Sequence, residues 1–378
     1  MAGSNRLATQ QSPKQSLIVE QIRRRIIEGE YTRGAQIPPV NELAAIHNVS
    51  TQTVQNAMDR LRSSGYIETI KRIGNFVSVA PPHLCQFGIV FPDEFRPEAT
   101  CSQYTRAWHA EVQRLLRLGT EPGGAYRRIS FFYCSDTADG ARNREELARR
   151  VLAHEFAGLI FPFNSETYWV KNDPSLPVVI VGHTTGEDRA VGLDFAGVLE
   201  KGMKYLATRG RRRLAAIAVA DLAGQRSESF RIRAQAMGFP VERRWVHSVG
   251  LVNHEAVANC AELLASTCGS NGPDALLVLD DNLLPGVSDG LLAAGVRVPD
   301  DIEVVSHCNF PYPVPARIPV KRVGYDIRRL VAACIERIEA GRRGEQLPSV
   351  LIPALLEDEL QDDTADDYRR ALQAPGAH

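Results

Sequence analysis

The residues best placed to do chemistry lie between Asn48 and Leu61. Val54, Ala57, Met58 and Leu61 fall at i, i+3, i+4 and i+7 and make one apolar stripe, which leaves Gln52, Thr53, Gln55, Asn56 and Arg60 on the other face of a helix about three turns long. Side-chain amides can offer a donor and an acceptor together to a base edge in a major groove, a bidentate match that suits adenine. Ser50 or Thr51 offers an oxygen to the first free backbone N–H groups, and Ser63-Ser64-Gly65 supplies the stop. A short apolar-periodic segment, Val40 to His47, precedes this helix after a break of a few residues, the spacing of a helix-turn-helix. Tyr66 to Ile70 and Asn75 to Val79 then flank Lys71-Arg72-Ile73-Gly74, a hairpin with a basic tip that would serve as a wing. The candidate nucleic-acid contacts are Asn41, Ser50, Thr51, Gln52, Thr53, Gln55, Asn56, Lys71, Arg72 and Gly74. The blander reading is a generic three-helix segment with one amphipathic helix.

Catalytic chemistry finds little support. The sequence has no GxSxG elbow, HExxH helix, P-loop or GxGxxG fingerprint, and its nine His are dispersed. His307-Cys308 could ligate a metal, but two neighbours without further nearby ligands make a weak site. Asp280-Asp281 and Asp300-Asp301 are acid pairs adjacent in sequence, the second in a turn. No cofactor or metal is expected, and an enzyme is not.

The elements that must carry these residues follow from composition and periodicity. With 378 residues, 44% hydrophobic and 24% charged, the chain can build two or three compact units. Residues 1 to 80 hold ten Lys/Arg against six Asp/Glu, and the remainder 34 against 39, so a mildly basic head precedes a mildly acidic body. Seven scattered Cys without CxxC or zinc spacing suggest reduced thiols. Met1 to Ser12 lacks the apolar core of a signal peptide and no stretch approaches 18 consecutive apolar residues, so a cytoplasmic location without membrane contact is expected. Ser16 to Glu28 reads as an amphipathic helix with Leu17 or Ile18, Ile22, Ile26 and Ile27 inward and Arg23-Arg24-Arg25 mostly outward. Ala80-Pro81-Pro82-His83 breaks the pattern and reads as an extended linker. Beyond it, short apolar strands alternate with helical segments in two series, the first from Phe87 to Val181 and the second from Val191 to Val305. Such repeats imply parallel, doubly wound sheets. Seven acids between Glu357 and Asp367 form a self-repelling run that reads as disordered.

Two resemblances sharpen this outline. Gly34-Ala35-Gln36-Ile37-Pro38, Glu42-Leu43-Ala44, Val49-Ser50, Thr53-Val54, Ala57, Leu61, Gly65-Tyr66-Ile67 and Gly74-Asn75-Phe76-Val77 together resemble the GntR-type winged helix of bacterial transcription regulators over about 65 residues. The family usually has a capping Ser where Pro39 stands and Arg where Asn41, Thr51 and Gln55 stand. The departures remove three phosphate or guanine contacts and, with the amides that remain, imply A·T-weighted readout.

From Phe87 onward, Phe87-Gly88-Ile89-Val90, Gly158-Leu159-Ile160, Pro177-Val178-Val179, Val191 with Asp194, the run Gly197 to Leu206 into Arg209-Gly210-Arg211-Arg212, Pro273-Asp274-Ala275-Leu276 and Gly295 to Ile302 are similar to the LacI/GalR effector domain, itself related to periplasmic sugar-binding proteins. The resemblance implies two lobes, three crossovers near Thr184 to Ala190, Phe310 to Val320 and Arg343 to Ser349, and a ligand at the carboxyl ends of the strands. It carries the effector positions onto Asp93, Phe161, Asn164, Arg233, Asp280 and Cys308, with Arg233 and Asp280 as polar holds. The family commonly has Asp where Cys308 stands, and a thiol is a weak acceptor, so packing is the expected role of Cys308.

The expected architecture is therefore α/β: a winged helix-turn-helix over 13–80, a linker over 81–85, a LacI-like effector-binding and dimerisation domain over 86–356 and a tail over 357–378. The expected function is a DNA-binding transcription regulator, a repressor, that acts as a homodimer on a double-stranded operator under control of a sugar-like small molecule. The alternative is a carbohydrate-binding or enzymatic protein that uses its winged helix to bind another protein.

Overall fold

A computed structural model describes residues 13–92, 102–119, 126–163, 176–182, 190–220, 225–251, 253–266 and 271–373. Asp93 and Asn164 lie outside them. In chain order the elements are α1 (Pro13–Ile27), α2 (Val40–His47), α3 (Thr51–Ser63), β1 (Ile67–Ile70), β2 (Gly74–Val77), α4 (Pro82–Cys85), β3 (Gln86–Phe91), α5 (Gln103–Gly119), β4 (Arg128–Tyr133), α6 (Ala138–Leu152) and β5 (Gly158–Phe161). They continue with β6 (Val178–Val181), β7 (Ala190–Leu193), α7 (Phe195–Thr208), β8 (Leu214–Val219), α8 (Gln225–Ala236), β9 (Val246–Val249), α9 (His254–Ala265), β10 (Ala275–Val278) and α10 (Leu284–Ala293). The last are β11 (Glu303–Phe310), β12 (Lys321–Asp326), α11 (Ile327–Arg342), β13 (Val350–Ile352), β14 (Leu355–Leu356) and α12 (Asp362–Gln373). Two compact units emerge, one of Met1–Phe91, Gly119–Ile160 and Ser165–Val178, the other of Pro92–Leu118, Phe161–Asn164 and Val179–His378.

In the first unit, α3 starts where Ser50 accepts a hydrogen bond from the Thr53 amide at 3.2 Å, so Ser50 and not Thr51 is the cap. Its stripe of Val54, Ala57, Met58 and Leu61 is fully buried against Ile18, Val19, Ile22, Leu43 and Tyr66. Asn48, at φ 49° in the left-handed region, ends α2 and makes the turn into α3. Pro39 gives α2 no side-chain cap. The wing pairs β1 with β2 antiparallel, Ile67 opposite Val77 and Ile70 opposite Gly74. Gly74 has φ 149°, and the Gln36 side chain fills the space a Cβ would need, donating to the Ile73 carbonyl at 3.2 Å. The same unit holds part of a parallel sheet in which β3 lies between β4 and β5, with Phe87 opposite Ile129 and Gly158.

Three expectations for this unit need correction. Ile27, expected inward, is 38% exposed at the end of α1. Arg24 and Arg25 are exposed as expected, but the first of the three arginines is not. Arg23 is buried, paired with Glu20 at 3.2 Å and set over the Tyr66 ring, because its position on α1 faces the start of the wing. The segment expected as an extended linker folds into α4, with Pro82, His83 and Cys85 buried. A helix N-terminus tolerates Pro. Packing holds it there: His83 stacks on Tyr66 at 5.6 Å, Tyr66 Oη donates to the His154 carbonyl at 2.5 Å and Arg128 reaches the Ala80 carbonyl at 3.4 Å.

In the second unit, β6 and β7 pair in parallel, as do β7 and β13. A six-stranded sheet runs β14-β12-β11-β10-β8-β9, parallel except for β14. Near-continuous apolar runs such as Leu214 to Ala218 and Ala275 to Val278 suit strands covered on both faces. Gly324 of β12 lies opposite Cys308 of β11, and a Cβ there would collide with the Cys308 carbonyl, so this close pairing requires glycine.

Strand pairing corrects the crossovers. Since β6 pairs with β7 and β11 with β12, the chain is in the same sheet at Val181 and Ala190, and again at Phe310 and Lys321. The chain changes sheet between β7 and β8, between β12 and β13 and between β13 and β14, and 343–349 lies in the second of these.

The acidic tail is also corrected. Residues 357–359 form a 3-10 turn and 362–373 form α12, whose Ala365 and Tyr368 pack on Cys308, Phe310 and Leu360. Its charges have remote partners: Asp358 pairs with Lys321 at 2.9 Å, Glu359 with Lys201, and Asp367 with Arg328.

Candidate functional site

The first unit presents an amide-rich helical face and a basic tip. Thr51, Gln52 and Asn56 are exposed and Thr53 and Gln55 half-exposed on α3, while Asn41 is exposed on α2. Gln52 Nε2 donates to Asn56 Oδ1 at 2.9 Å, and Gln55 Nε2 to Asp59 Oδ1 at 3.2 Å, which orders the amides along the helix. Ser50, besides capping, lies 2.9 Å from the Thr53 hydroxyl. At the wing tip Lys71, Arg72 and Ile73 are exposed, Arg72 at φ 67° in the left-handed region. Sequence reasoning missed Gln36, whose hold on Ile73 shapes that tip from 37 residues away.

The second unit contains a cavity of about 280 Å³. Strand and helix ends supply its walls: Ser102 and Tyr104 at the start of α5, Pro162 and Phe163 after β5, Val181 and Gly182 at the end of β6, and Leu193 and Phe195 where β7 passes into α7. Leu279, Asp280, Asp281 and Asn282 follow β10, His307 and Asn309 come from β11, and Tyr325 from β12. Carboxyl ends of parallel strands are where such folds leave room for ligands. Asp280 Oδ1 accepts from the Asn282 backbone and side-chain amides at 3.0 and 2.6 Å, and Asn282 Oδ1 accepts from the Gln103 amide at 2.8 Å. Asn309 Nδ2 donates to Asp281 Oδ2 at 2.8 Å. Tyr104 donates to the Pro162 carbonyl at 3.2 Å and meets Phe163 edge-on at 5.1 Å; burial pushes its phenol well above the usual range. His307 meets the Tyr325 ring at 5.5 Å.

Of the expected effector positions, Asp280 lines this cavity and three others do not. Phe161, the last residue of β5, is buried in the sheet, and its neighbours Pro162 and Phe163 reach the space. Side chains alternate along a strand, so His307 and Asn309 face the cavity while Cys308 joins Phe310 on the other side. Burial there raises the Cys308 thiol far above its ordinary pKa. Arg233, on α8, donates to Glu200 at 2.7 Å instead. Sequence reasoning missed Tyr104, Asp281, Asn309 and Tyr325 as cavity residues. A period of two applied from Cys308, read as core, would have pointed to Asn309. Among the described residues no group of three or more His, Cys, Asp or Glu could hold a metal, and no helix is long and apolar enough to cross a membrane.

Comparison with known proteins matches two separate stretches of the chain. The profile described as bacterial regulatory proteins, gntR family, covers residues 14–77, and that of the periplasmic binding protein-like domain covers residues 203–354. Catabolite control protein A of Staphylococcus epidermidis is 24% identical over 192 residues, 46% of this chain and 54% of that protein. The chain thus spans about half the length of the curated relative it matches. A LacI family transcription regulator from Clostridium acetobutylicum superposes with a TM-score of 0.57 at 18% identity, over 72% of this chain and 98% of that one. The LacI family transcriptional regulator from Lactobacillus casei with bound sucrose gives 0.54 at 22%, over 72% and 97%. At these identities the structures show the fold: the second part of the chain has the LacI-type arrangement of parallel sheets.

Proposed function

We propose that this chain, a GntR-type DNA-binding domain joined to a periplasmic-binding-protein-like domain of the LacI fold, is a cytoplasmic transcription regulator, acting as a repressor, whose hold on an operator changes when a sugar-like molecule occupies the cavity. The observation that carries the reading is the exposed amide face of α3 in the same small domain as a basic wing tip, in a chain that also builds a ligand-sized cavity. Gln52, Gln55 and Asn56 read base edges, with Asn41, Ser50, Thr51, Thr53 and Gly74 lining the approach, and Lys71 and Arg72 meet phosphates. Sucrose in the Lactobacillus casei regulator supports a carbohydrate as the ligand class here. The chain acts as a homodimer, because one winged helix covers too little DNA, whereas a two-fold pair reads half-sites about 34 Å apart.

Selection of duplexes from a random pool by the full chain, followed by titration in salt, tests the reading. Log affinity falls linearly with log salt, and Arg72→Ala lowers that slope by about one while weakening all sequences alike. Gln52→Ala and Asn56→Ala each relax base preference, by about 1–3 kcal/mol per lost bidentate contact. Recovery of unselected sequences by the parent chain, or unchanged preference in both variants, would refute this assignment of α3.

A further inference from the structure

Among the described lining residues of the cavity the permanent charges are all acidic, with His307 the one basic side chain beside them. Asp280 and Asp281 contribute two carboxylates, and no Lys or Arg stands among the described lining residues. Asp281 is 2% exposed; Asn309 donates to one of its oxygens, and His307 Nδ1 stands 3.8 Å from the other, beyond hydrogen-bond length. Asn309 is itself only 1% exposed, and its Oδ1 has no partner among the described residues. A carboxylate withdrawn from water is costly unless a counter-charge or several donors meet it. A buried amide oxygen likewise requires a donor. The rest of the wall includes the rings of Tyr104, Phe163 and Tyr325, and aromatic faces attract cations as well as covering the apolar side of a ligand.

These groups share one demand: a ligand that donates hydrogen bonds and carries positive charge. We propose that the cavity takes an amine-bearing polyhydroxylated molecule of the amino-sugar class, with its protonated amine seated against Asp281 and Asn309 Oδ1. The proposal rests on the reading of this cavity as the effector site and specifies the ligand. Hydroxyls can donate to both the Asn309 oxygen and Asp281, but only a protonated amine also brings the carboxylate a counter-charge. A sugar phosphate or sugar acid adds like charge to the two aspartates and is rejected.

The test is calorimetric titration of the full chain, in amine-free buffer near neutral pH, with glucosamine, galactosamine and mannosamine, each beside its parent hexose, its N-acetyl form and its 6-phosphate. The expected result is that at least one free amino sugar binds about tenfold or more tighter than its parent and its N-acetyl form, since charge-assisted bonds are roughly twice as strong as neutral ones. Asp281→Asn, which keeps shape and removes charge, brings that ratio close to one while the variant still unfolds cooperatively. If this variant does not fold, the comparison of free amine with N-acetyl form on the parent chain decides the matter alone. Equal or tighter binding of a parent hexose or a phosphate overturns the amine and leaves the carbohydrate reading standing. Binding of none of the panel overturns both. A preference for amines undiminished in folded Asp281→Asn overturns the placement of the amine.

Discussion

Glu111→Ala should lower the unfolding free energy of the second unit by about 3–5 kcal/mol, the usual cost of removing one partner from a buried charge cluster. Glu111, on α5, is fully buried and accepts from Arg114 at 2.6 and 2.8 Å and from the Tyr312 hydroxyl at 3.0 Å, with Arg328 at 3.7 Å. The bond to Glu111 holds the Arg114 guanidinium above its usual pKa, and burial raises the Tyr312 phenol. Without the carboxylate, Arg328, whose side chain is 10% exposed, keeps Asp367 of α12 as its acidic partner. Glu111→Gln retains the shape and loses the charge, so its cost should be smaller, about 1.5–3 kcal/mol as for a hydrogen bond to a charged group. Urea titration at neutral pH measures both. A loss below about 1 kcal/mol for the Ala variant would mean that the arginines reach water without strain.

Leu61→Ala should separate the two functions. Leu61 is fully buried beside Val54, Met58 and Tyr66, and truncating such a side chain costs about 2–5 kcal/mol through lost burial and the cavity left behind. That is a large part of the 5–15 kcal/mol typical of a domain, so the reading helix loses its fixed seat and duplex affinity collapses. The cavity residues belong to the second unit, so ligand binding should persist. Fluorescence anisotropy with a selected duplex and calorimetry with the bound sugar, run on the same preparation, check both halves. Loss of ligand binding together with DNA binding would show that the mutation unfolds the whole chain.

The contrast between the two sites explains what could be read in the sequence. Helix α3 was legible because its causes are local: a capping hydroxyl at Ser50, an apolar stripe of period 3.6 and a glycine at Gly65 after its end. The alternation of strands and helices was legible for the same reason, and with it the parallel-sheet class. The cavity depends on which strand ends meet, and on single-residue register within them. Cys308 shows how sharp that is, because one step along β11 exchanges the core of Phe310 and Tyr368 for the cavity face of His307 and Asn309. The tail failed for another reason. Its acids look self-repelling in sequence, but Lys201, Lys321 and Arg328, which neutralise Glu359, Asp358 and Asp367, come from α7, β12 and α11. Likewise Pro81-Pro82 signals a linker until Tyr66, His83 and Arg128 are seen to pack around it.

The central claim is that one chain couples an occupied cavity to an operator. Its most direct test is the affinity of the full chain for its selected duplex, measured by anisotropy at fixed salt with and without a saturating ligand from the amino-sugar panel. The account predicts a change of about fivefold or more, as for a coupling free energy of 1–3 kcal/mol, with the same factor appearing in ligand affinity when DNA is added. Tight, salt-dependent DNA binding that stays the same when the cavity is filled would contradict it.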